Sequence, residues 1–243
     1  MFFSRYDKMK GMKLQLSLPV KPYSLNQAFG NNPLNPDGTP YYAKFLDALG
    51  QPLKGHMGAD LRAVHGQPVY APCDGVAWYE VDSHGGDGIY IRTNQSFDYK
   101  GGQAWFNLVH WHLCAANDPI SPIKIATDGS KVSVKKGQLL GYADNTGAPF
   151  ESSGDHLHWG LCPTDAQNHA LEPANGFNGC IDPMPYWEGT FAADILAYPI
   201  IAAALANAQT LITNITNAPI SKSDELALLD SIKKVVMQLQ TLL

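Results

Sequence analysis

Short apolar and aromatic runs separated by Gly, Pro and Asp turns fill the chain from about residue 14 to residue 188 and leave little room for long helices. Residues 68–71 and 75–81 read as two strands around the turn Cys73-Asp74-Gly75. Further strands are predicted at residues 14–18, 89–93 and 107–113, and on both sides of the turn at Lys136-Gly137. Residues 41–49 are predicted to form a short helix that ends before Gly50. This pattern predicts a mainly β fold.

The composition changes at about Phe191, beyond which Ala, Leu and Ile replace most aromatic residues. Two helices are predicted there, separated by Asn217-Ala218-Pro219. Their apolar faces are Ile201, Leu205, Ala208, Ile212 and Ile215 in the first helix, and Leu229, Ile232, Val236, Leu239 and Leu243 in the second. The second face has the spacing of a coiled-coil seam about two heptads long. We therefore expect an N-terminal extension at 1–13, a β domain at 14–188 and a C-terminal helical tail at 189–243. The tail is either a helical hairpin or a coiled-coil segment through which the chain self-associates.

Charge and hydropathy argue against a nucleic-acid partner and against a membrane span. The 243-residue chain has a formal net charge of -5 and no long Lys/Arg run, so no nucleic-acid partner is expected. The apolar run at 195–215 is interrupted by Pro199, Asn207 and Gln209, so a membrane span is not expected either. Residues 1–18 mix charged and apolar side chains and lack the uninterrupted apolar stretch of a secretory signal.

The four cysteines do not form a zinc-binding C-x-x-C motif. Four free thiols agree with the sequence, and so does a single bridge between Cys162 and Cys180. The sequence leaves the disulfide state of Cys73, Cys114, Cys162 and Cys180 open.

Gly154-Asp155-His156-Leu157-His158-Trp159-Gly160 carries the first candidate chemistry. In a strand, His156 and His158 project from the same face because side chains alternate with a period of two. Two imidazoles placed in this way can reach one metal ion and one substrate together. A single His-x-His pair is more often structural, so its significance depends on partners elsewhere in the chain.

Two further segments offer those partners. If residues 55–61 are extended, His56 and Asp60 share a face, and the small Gly58 between them leaves room for an ion. In a strand at 107–113, His110 and His112 also share a face. Three histidines or carboxylates plus a water molecule form the ligand set of a catalytic zinc ion. The chain therefore offers a zinc site together with additional imidazoles for proton transfer.

In order and spacing, these segments resemble the LytM/lysostaphin-type zinc endopeptidases of peptidase family M23, over residues 18–187 approximately. The resemblance rests mainly on Gly55-His56-Met57-Gly58-Ala59-Asp60, His112-Leu113, Asn145-Thr146-Gly147 and His156-Leu157-His158-Trp159. It implies an antiparallel β-sheet, LytM-like domain of the duplicated-hybrid-motif type. It also implies a Zn²⁺ cofactor and a peptide substrate in bacterial peptidoglycan.

Carried over to this chain, the resemblance makes His56, Asp60 and His158 the zinc ligands. It makes His112 and His156 the unligated pair that polarises the attacking water and stabilises the oxyanion. Several positions depart from the family pattern: His110 replaces the usual Tyr, Asp155 stands where many members have Pro, Gly160 stands where an acid is common, and the loop 148–153 is slightly longer than usual. For His110 and Asp155 the expected roles are a hydrogen bond to the site residues or a contact with substrate.

The leading functional hypothesis is a zinc metalloendopeptidase that cuts peptidoglycan stem peptides or cross-bridges. The alternatives are a cell-wall-binding or virion-associated module on the same scaffold with weak or absent hydrolysis, and a regulator of a partner hydrolase. The sequence leaves open which bond is cut. A phage lysin, a virion component and a protein exported by another route all agree with the absence of a recognisable secretory signal.

Overall fold

The computed structural model describes residues 11–21 and 24–188. Its ten strands are β1 (Leu25–Gln27), β2 (Ala59–Arg62), β3 (Pro68–Tyr70), β4 (Gly75–Val81), β5 (Asp87–Thr93), β6 (Phe97–Tyr99), β7 (Gly102–Leu113), β8 (Val132–Val134), β9 (Leu139–Tyr142) and β10 (His156–Thr164). Two short 3₁₀ helices lie at Tyr41–Lys44 and Met184–Tyr186. Within the described residues no helix is long and apolar enough to cross a membrane.

All strand pairs between these elements are antiparallel, which confirms the predicted mainly β, antiparallel fold. The main sheet has the order β1-β2-β10-β7-β5-β4-β8, with β6 paired to β7, and β3 pairs with β9 in a second, two-stranded sheet. The predicted helical tail at 189–243 and its self-association lie outside the described residues, as does most of the 1–13 extension. The proposed domain boundaries therefore stay a prediction.

Side chains alternate along the central strand β10, so that one set lies in the core and the other lies on the opposite face of the sheet. Leu157, Trp159 and Leu161 are fully buried on one side of the strand. On the other side, His158, Gly160 and Cys162 line a shallow groove. Since β10 pairs with β2 on one edge and β7 on the other, groups from three strands meet on the groove side.

A bulge near the end of β7 changes the direction of one histidine. Gly88 of β5 pairs with Trp111 and the adjacent Asp87 pairs with Leu113, so His112 is an extra residue, with φ at +66°. His110 pairs with Trp159 and is fully buried on the core side. The prediction that His110 and His112 share a face is therefore wrong, because a bulge interrupts the strict alternation of a strand.

Three local predictions also differ from the structure. Residues 14–18 form only an isolated bridge, because Leu16 and Ser17 donate their N–H groups to two different segments. The helix predicted at 41–49 stops at Lys44, and the side chain of Asp47 then accepts two backbone N–H bonds that hold a turn. Residues 55–58 precede strand β2, so His56 reaches the site from a loop.

The structure decides the disulfide question. Cys162 of β10 is bonded to Cys180, whereas Cys73 and Cys114 are free and buried. The neighbouring Ile181 donates its N–H to the carbonyl oxygen of Leu161 at 2.8 Å. The covalent bond and this hydrogen bond together attach the 175–182 segment to the outer part of β10.

The core of β10 gives a direct test of this fold. Replacing the fully buried Leu161 with Ala should lower the free energy of unfolding by about 2–5 kcal/mol, since it removes apolar contacts and leaves a cavity. Leu34 is 68% exposed, and Leu34→Ala is the matched control, with an expected change below about 0.5 kcal/mol. Urea denaturation followed by tryptophan fluorescence measures both values. Equal effects at the two positions would contradict the buried assignment of Leu161.

Candidate metal and catalytic site

Three potential ligand atoms converge between β2 and β10. Asp60 and His158 are direct cross-strand partners, and the Asp60 Oδ1 atom lies 3.1 Å from His158 Nδ1. The loop before β2 brings His56 Nε2 to 3.1 Å from the same oxygen and 2.9 Å from His158 Nδ1. The three side chains are largely buried. They therefore form a nearly equilateral triangle of two nitrogens and one oxygen.

This triangle matches the requirements of a zinc ion. Zinc binds nitrogen and oxygen ligands tetrahedrally at roughly 2.0–2.1 Å, which separates the ligand atoms by roughly 3.3 Å. The observed separations of 2.9–3.1 Å need only a small expansion. Two imidazoles and one carboxylate leave one tetrahedral position open, as in catalytic rather than structural zinc sites. His56, Asp60 and His158 could thus hold a catalytic metal ion.

A hydrogen bond to the backbone orients His56, and close packing against a glycine orients His158. His56 Nδ1 lies 3.3 Å from the carbonyl oxygen of Ala28, and donation there leaves the Nε2 lone pair directed at the triangle. His158 packs against Gly58, where a Cβ atom would lie 2.6 Å from His158 Cε1 and 2.8 Å from the carbonyl oxygen of Trp159. Only glycine therefore lets the loop pass so close to the His158 ring.

The electrostatics of the triangle favour a charged Asp60 carboxylate and a neutral His158 imidazole. Burial raises the pKa of Asp60, but the close contacts of its carboxylate with the His158 and His56 rings outweigh that effect, and the pKa lies well below its ordinary value. Burial lowers the pKa of His158. An ionised carboxylate and unprotonated imidazoles are the forms that ligate a metal ion.

His112 and His156 lie next to the triangle, with ring centroids 4.6 Å apart. The Nδ1 atom of His112 is 2.7 Å from the Thr146 carbonyl oxygen, and that of His156 is 2.7 Å from the Gly154 carbonyl oxygen. Because a carbonyl oxygen only accepts, each ring donates from Nδ1 and keeps the lone pair on Nε2. His156 Nε2 lies 3.6 Å from Asp60 Oδ1, which places it at the edge of the triangle.

The environment of His112 favours its neutral form. Burial, followed by repulsion from His156 and His158, lowers the pKa of His112 to about 4. At neutral pH its Nε2 atom is therefore available to accept a proton. The structure thus places two neighbouring imidazoles beside a metal-ligand triangle, both oriented by backbone carbonyl groups.

The structure gives His110 and Asp155, which both depart from the family pattern, partners in the backbone. His110 is fully buried on the core side of β7, where its Nδ1 is 3.2 Å from the Ile89 carbonyl oxygen and burial lowers its pKa to about 4. This position gives no support to a substrate contact. Asp155 accepts the backbone N–H of His65 at 3.0 Å through its Oδ2 atom.

Tyr42 is a neighbour of the site that the sequence did not single out. Its ring centroid lies 5.6 Å from that of His56, and Gln27 Nε2 donates to its hydroxyl oxygen at 2.8 Å. Burial, with a further contribution from the charge of Asp60, raises the pKa of Tyr42 well above its ordinary value. Tyr42 lies in the segment 41–49 that is predicted as a short helix, and no motif in that segment marks it as a site residue.

A groove with a cavity of about 200 Å³ extends from His158 along the same face of the sheet. Its lining includes Tyr90, Val109 and Trp111, and the rings of Tyr90 and Trp111 meet edge to face at 5.8 Å between centroids. The disulfide-bonded Cys162 and Cys180 lie along the same groove. An aromatic surface beside candidate metal ligands is suited to an extended chain.

Comparisons with known proteins indicate the family to which this part of the chain is related. Residues 54–173 match the model of peptidase family M23. This segment contains His56, Asp60, His112, His156 and His158. Residues 54–173 therefore belong to peptidase family M23. No curated protein matches the chain in sequence.

Among solved structures, the catalytic domain of the antimicrobial peptidase lysostaphin from Staphylococcus simulans is 22% identical, with a TM-score of 0.43, over 68% of this chain and 91% of that one. A mutant catalytic domain of the prophage-encoded M23 protein EnpA from Enterococcus faecalis is 19% identical, with a TM-score of 0.40, over 69% and 93%. A zinc-containing peptidase from Vibrio cholerae is 22% identical, with a TM-score of 0.41, over 63% and 37%. At these identities and TM-scores, the activities of these proteins are not transferred to this chain.

The contact between Gly58 and His158 predicts a loss of metal affinity on a minimal change. Gly58→Ala should weaken zinc binding at least ~10-fold, because the added methyl group displaces the His158 ring or the backbone beside it. Gly154→Ala is the matched control, since a Cβ atom there meets nothing within 4 Å. Competition with a chromophoric chelator measures both affinities. Unchanged affinity in Gly58→Ala would mean that His158 is not a ligand.

Proposed function

We propose that this protein is a zinc metalloendopeptidase that hydrolyses peptide bonds in the stems or cross-bridges of bacterial peptidoglycan. The observation that carries the proposal is the triangle of His56 Nε2, Asp60 Oδ1 and His158 Nδ1 with two oriented imidazoles beside it. Membership of peptidase family M23 supports the peptidase class. The choice of peptidoglycan as substrate follows the residue-level resemblance to the lysostaphin-type enzymes.

In this proposal His56, Asp60 and His158 hold the zinc ion. A bound zinc ion lowers the pKa of its water ligand to about 7 and polarises the scissile carbonyl group. Asp60 contributes the negative charge of the ligand set, and Ala28 fixes the tautomer of His56 through its carbonyl oxygen. These residues therefore set the position and net charge of the centre.

The proposed role of His112 and His156 is to move protons and to stabilise charge on the substrate. Each keeps its Nδ1 hydrogen in a bond to a carbonyl oxygen, so proton exchange takes place at Nε2. Because its pKa is lowered, His112 is unprotonated at neutral pH, so its Nε2 lone pair is free to take a proton from the attacking water and then deliver it to the leaving amine. His156, as the neighbour of Asp60, can donate a hydrogen bond from Nε2 to the oxyanion once protonated.

A non-catalytic wall-binding module and a regulator of a partner hydrolase are less well supported. A protein without hydrolytic function has no need of a complete ligand triangle with two oriented imidazoles alongside. All five residues are present and brought together. The predicted helical tail, which would serve for attachment or partner binding in these alternatives, lies outside the described residues.

The proposed roles predict different effects for ligands and for proton-transfer residues. His158→Ala should lose one equivalent of bound zinc together with the activity. His112→Ala and His156→Ala should each keep zinc while turnover falls about 10²–10⁴-fold, because they remove only a proton acceptor or donor. The exposed His169 provides the control, and His169→Ala should retain both. Zinc content by elemental analysis and clearing of a peptidoglycan gel measure these outcomes. Normal turnover in His112→Ala would overturn its role.

The metal dependence and the substrate are tested together on the intact protein. Treatment with a strong chelator should stop the clearing of peptidoglycan, and added zinc should restore it, since the ligands are preformed. Digestion of defined muropeptides, with products identified by mass, then distinguishes Gly-Gly bridges, D-Ala cross-links and stem-peptide bonds. A protein that binds zinc tightly and cuts none of these preparations would contradict the enzyme proposal and favour the binding module.

A further inference from the structure

A second group of potential metal-ligand side chains lies next to the segments that carry His112 and His156. His65 Nδ1 is 2.8 Å from Asp144 Oδ1 and 3.9 Å from Cys114 Sγ, and the three ligand atoms lie within 4.8 Å of one another. They come from three separate segments: the β2–β3 loop, the residue after β7 and the loop after β9. None of the three is a ligand or catalytic residue in the function proposed above.

The geometry separates this group from a nucleophile relay. In a Cys-His-Asp relay the thiol and the carboxylate engage opposite nitrogens of the imidazole ring. Here both approach the same atom, His65 Nδ1. Burial also raises the pKa of Cys114 to about 11, so the free thiol stays protonated at neutral pH, unlike that of an activated nucleophile. Donor atoms that converge on one point are instead the arrangement of a metal site.

Backbone contacts position the three residues before any ion binds. The Cys114 N–H group donates to the Tyr142 carbonyl oxygen at 2.8 Å, and the Asp144 N–H group donates to the His112 carbonyl oxygen at 2.7 Å. Asp155 accepts the His65 N–H at 3.0 Å. The group is therefore built into the junction of three segments.

Burial and charge favour entry of a cation from one side. The Cys114 residue is fully buried at the base of the group, whereas the side chains of His65 and Asp144 are 52% and 25% exposed. Asp118 and Asp155 add negative potential around the group, and together with Asp144 they raise the pKa of His65. A divalent cation can thus approach from solvent and meet the sulfur atom last.

We propose that His65, Cys114 and Asp144 form a second zinc site, with a water molecule as the fourth ligand. Imidazole, thiolate and carboxylate are all ligands of zinc, and the sulfur selects borderline-soft ions over magnesium and calcium. On binding, the thiol proton, now directed at the Ala143 carbonyl oxygen at 3.3 Å, is released to solvent and a zinc–sulfur bond forms. Because the Asp144 N–H group donates a hydrogen bond to the His112 carbonyl oxygen, an ion at this site would also stiffen the segment that carries His112.

Cobalt substitution distinguishes this site from the first one. The His56-Asp60-His158 triangle contains no sulfur, and neither does a third group of potential ligands at Asp82, His84 and Glu151. A thiolate-to-cobalt charge-transfer band in the near ultraviolet can therefore arise only where a cysteine ligates. Co²⁺ titration of the full-length, metal-free protein should give this band, and the band should persist in His158→Ala, which lacks the first site.

Two variants and one control make the test decisive. Cys114→Ser should lose the band and one equivalent of bound metal. His65→Ala should lower the Co²⁺ affinity measured from the band at least ~10-fold. The His65 side chain is exposed, so the fold should not be disturbed. Cys73→Ser, which changes the other buried free thiol of the described residues, should keep the band. Absence of the band in the wild-type protein, or its survival in Cys114→Ser, would overturn the proposal and leave an ordinary ion pair above a buried thiol.

Discussion

The pairing of β2 with β10 is the constraint on which the functional centre depends. It places Asp60 directly opposite His158, so a carboxylate oxygen and an imidazole nitrogen come within 3.1 Å without any contribution from flexible loops. His56 then completes the triangle from the loop before β2, and Gly58 allows that loop to pass against the His158 ring. Sheet register has a fixed geometry, since a slip of one residue would turn either side chain to the opposite face.

Around this fixed pair, backbone carbonyl groups determine how each histidine is used. Ala28, Thr146 and Gly154 face the Nδ1 atoms of three different imidazoles. In each case the lone pair stays on Nε2, the atom that is assigned to the zinc ion in one ring and to proton transfer in the other two in the proposed function. The protein thus gives similar side chains different proposed roles through backbone contacts of loops and strand ends.

The bulge at His112 links the centre to the second group of ligands. By turning His112 out of the alternation of β7, it brings this ring beside His156 and leaves Cys114 just beyond, next to His65 and Asp144. His110, one strand repeat earlier, stays in the core. The two histidines of a single His-x-His motif therefore have unrelated environments, because one extra residue reverses the face on which the second emerges.

The sequence by itself determined the mainly β fold, most strand positions after residue 68 and the five residues of the proposed centre. Turn residues and alternation carry the strand information locally, and the spacing of His56, Asp60, His112, His156 and His158 carries the family resemblance. Only the tertiary structure showed that His56 lies in a loop and that a bulge turns His112 to the face opposite to that of His110. It also decided that Cys162 pairs with Cys180, and that His65, Cys114 and Asp144 meet. These features depend on bulges and on contacts between residues far apart in the chain, and neither leaves a periodic signal in the sequence.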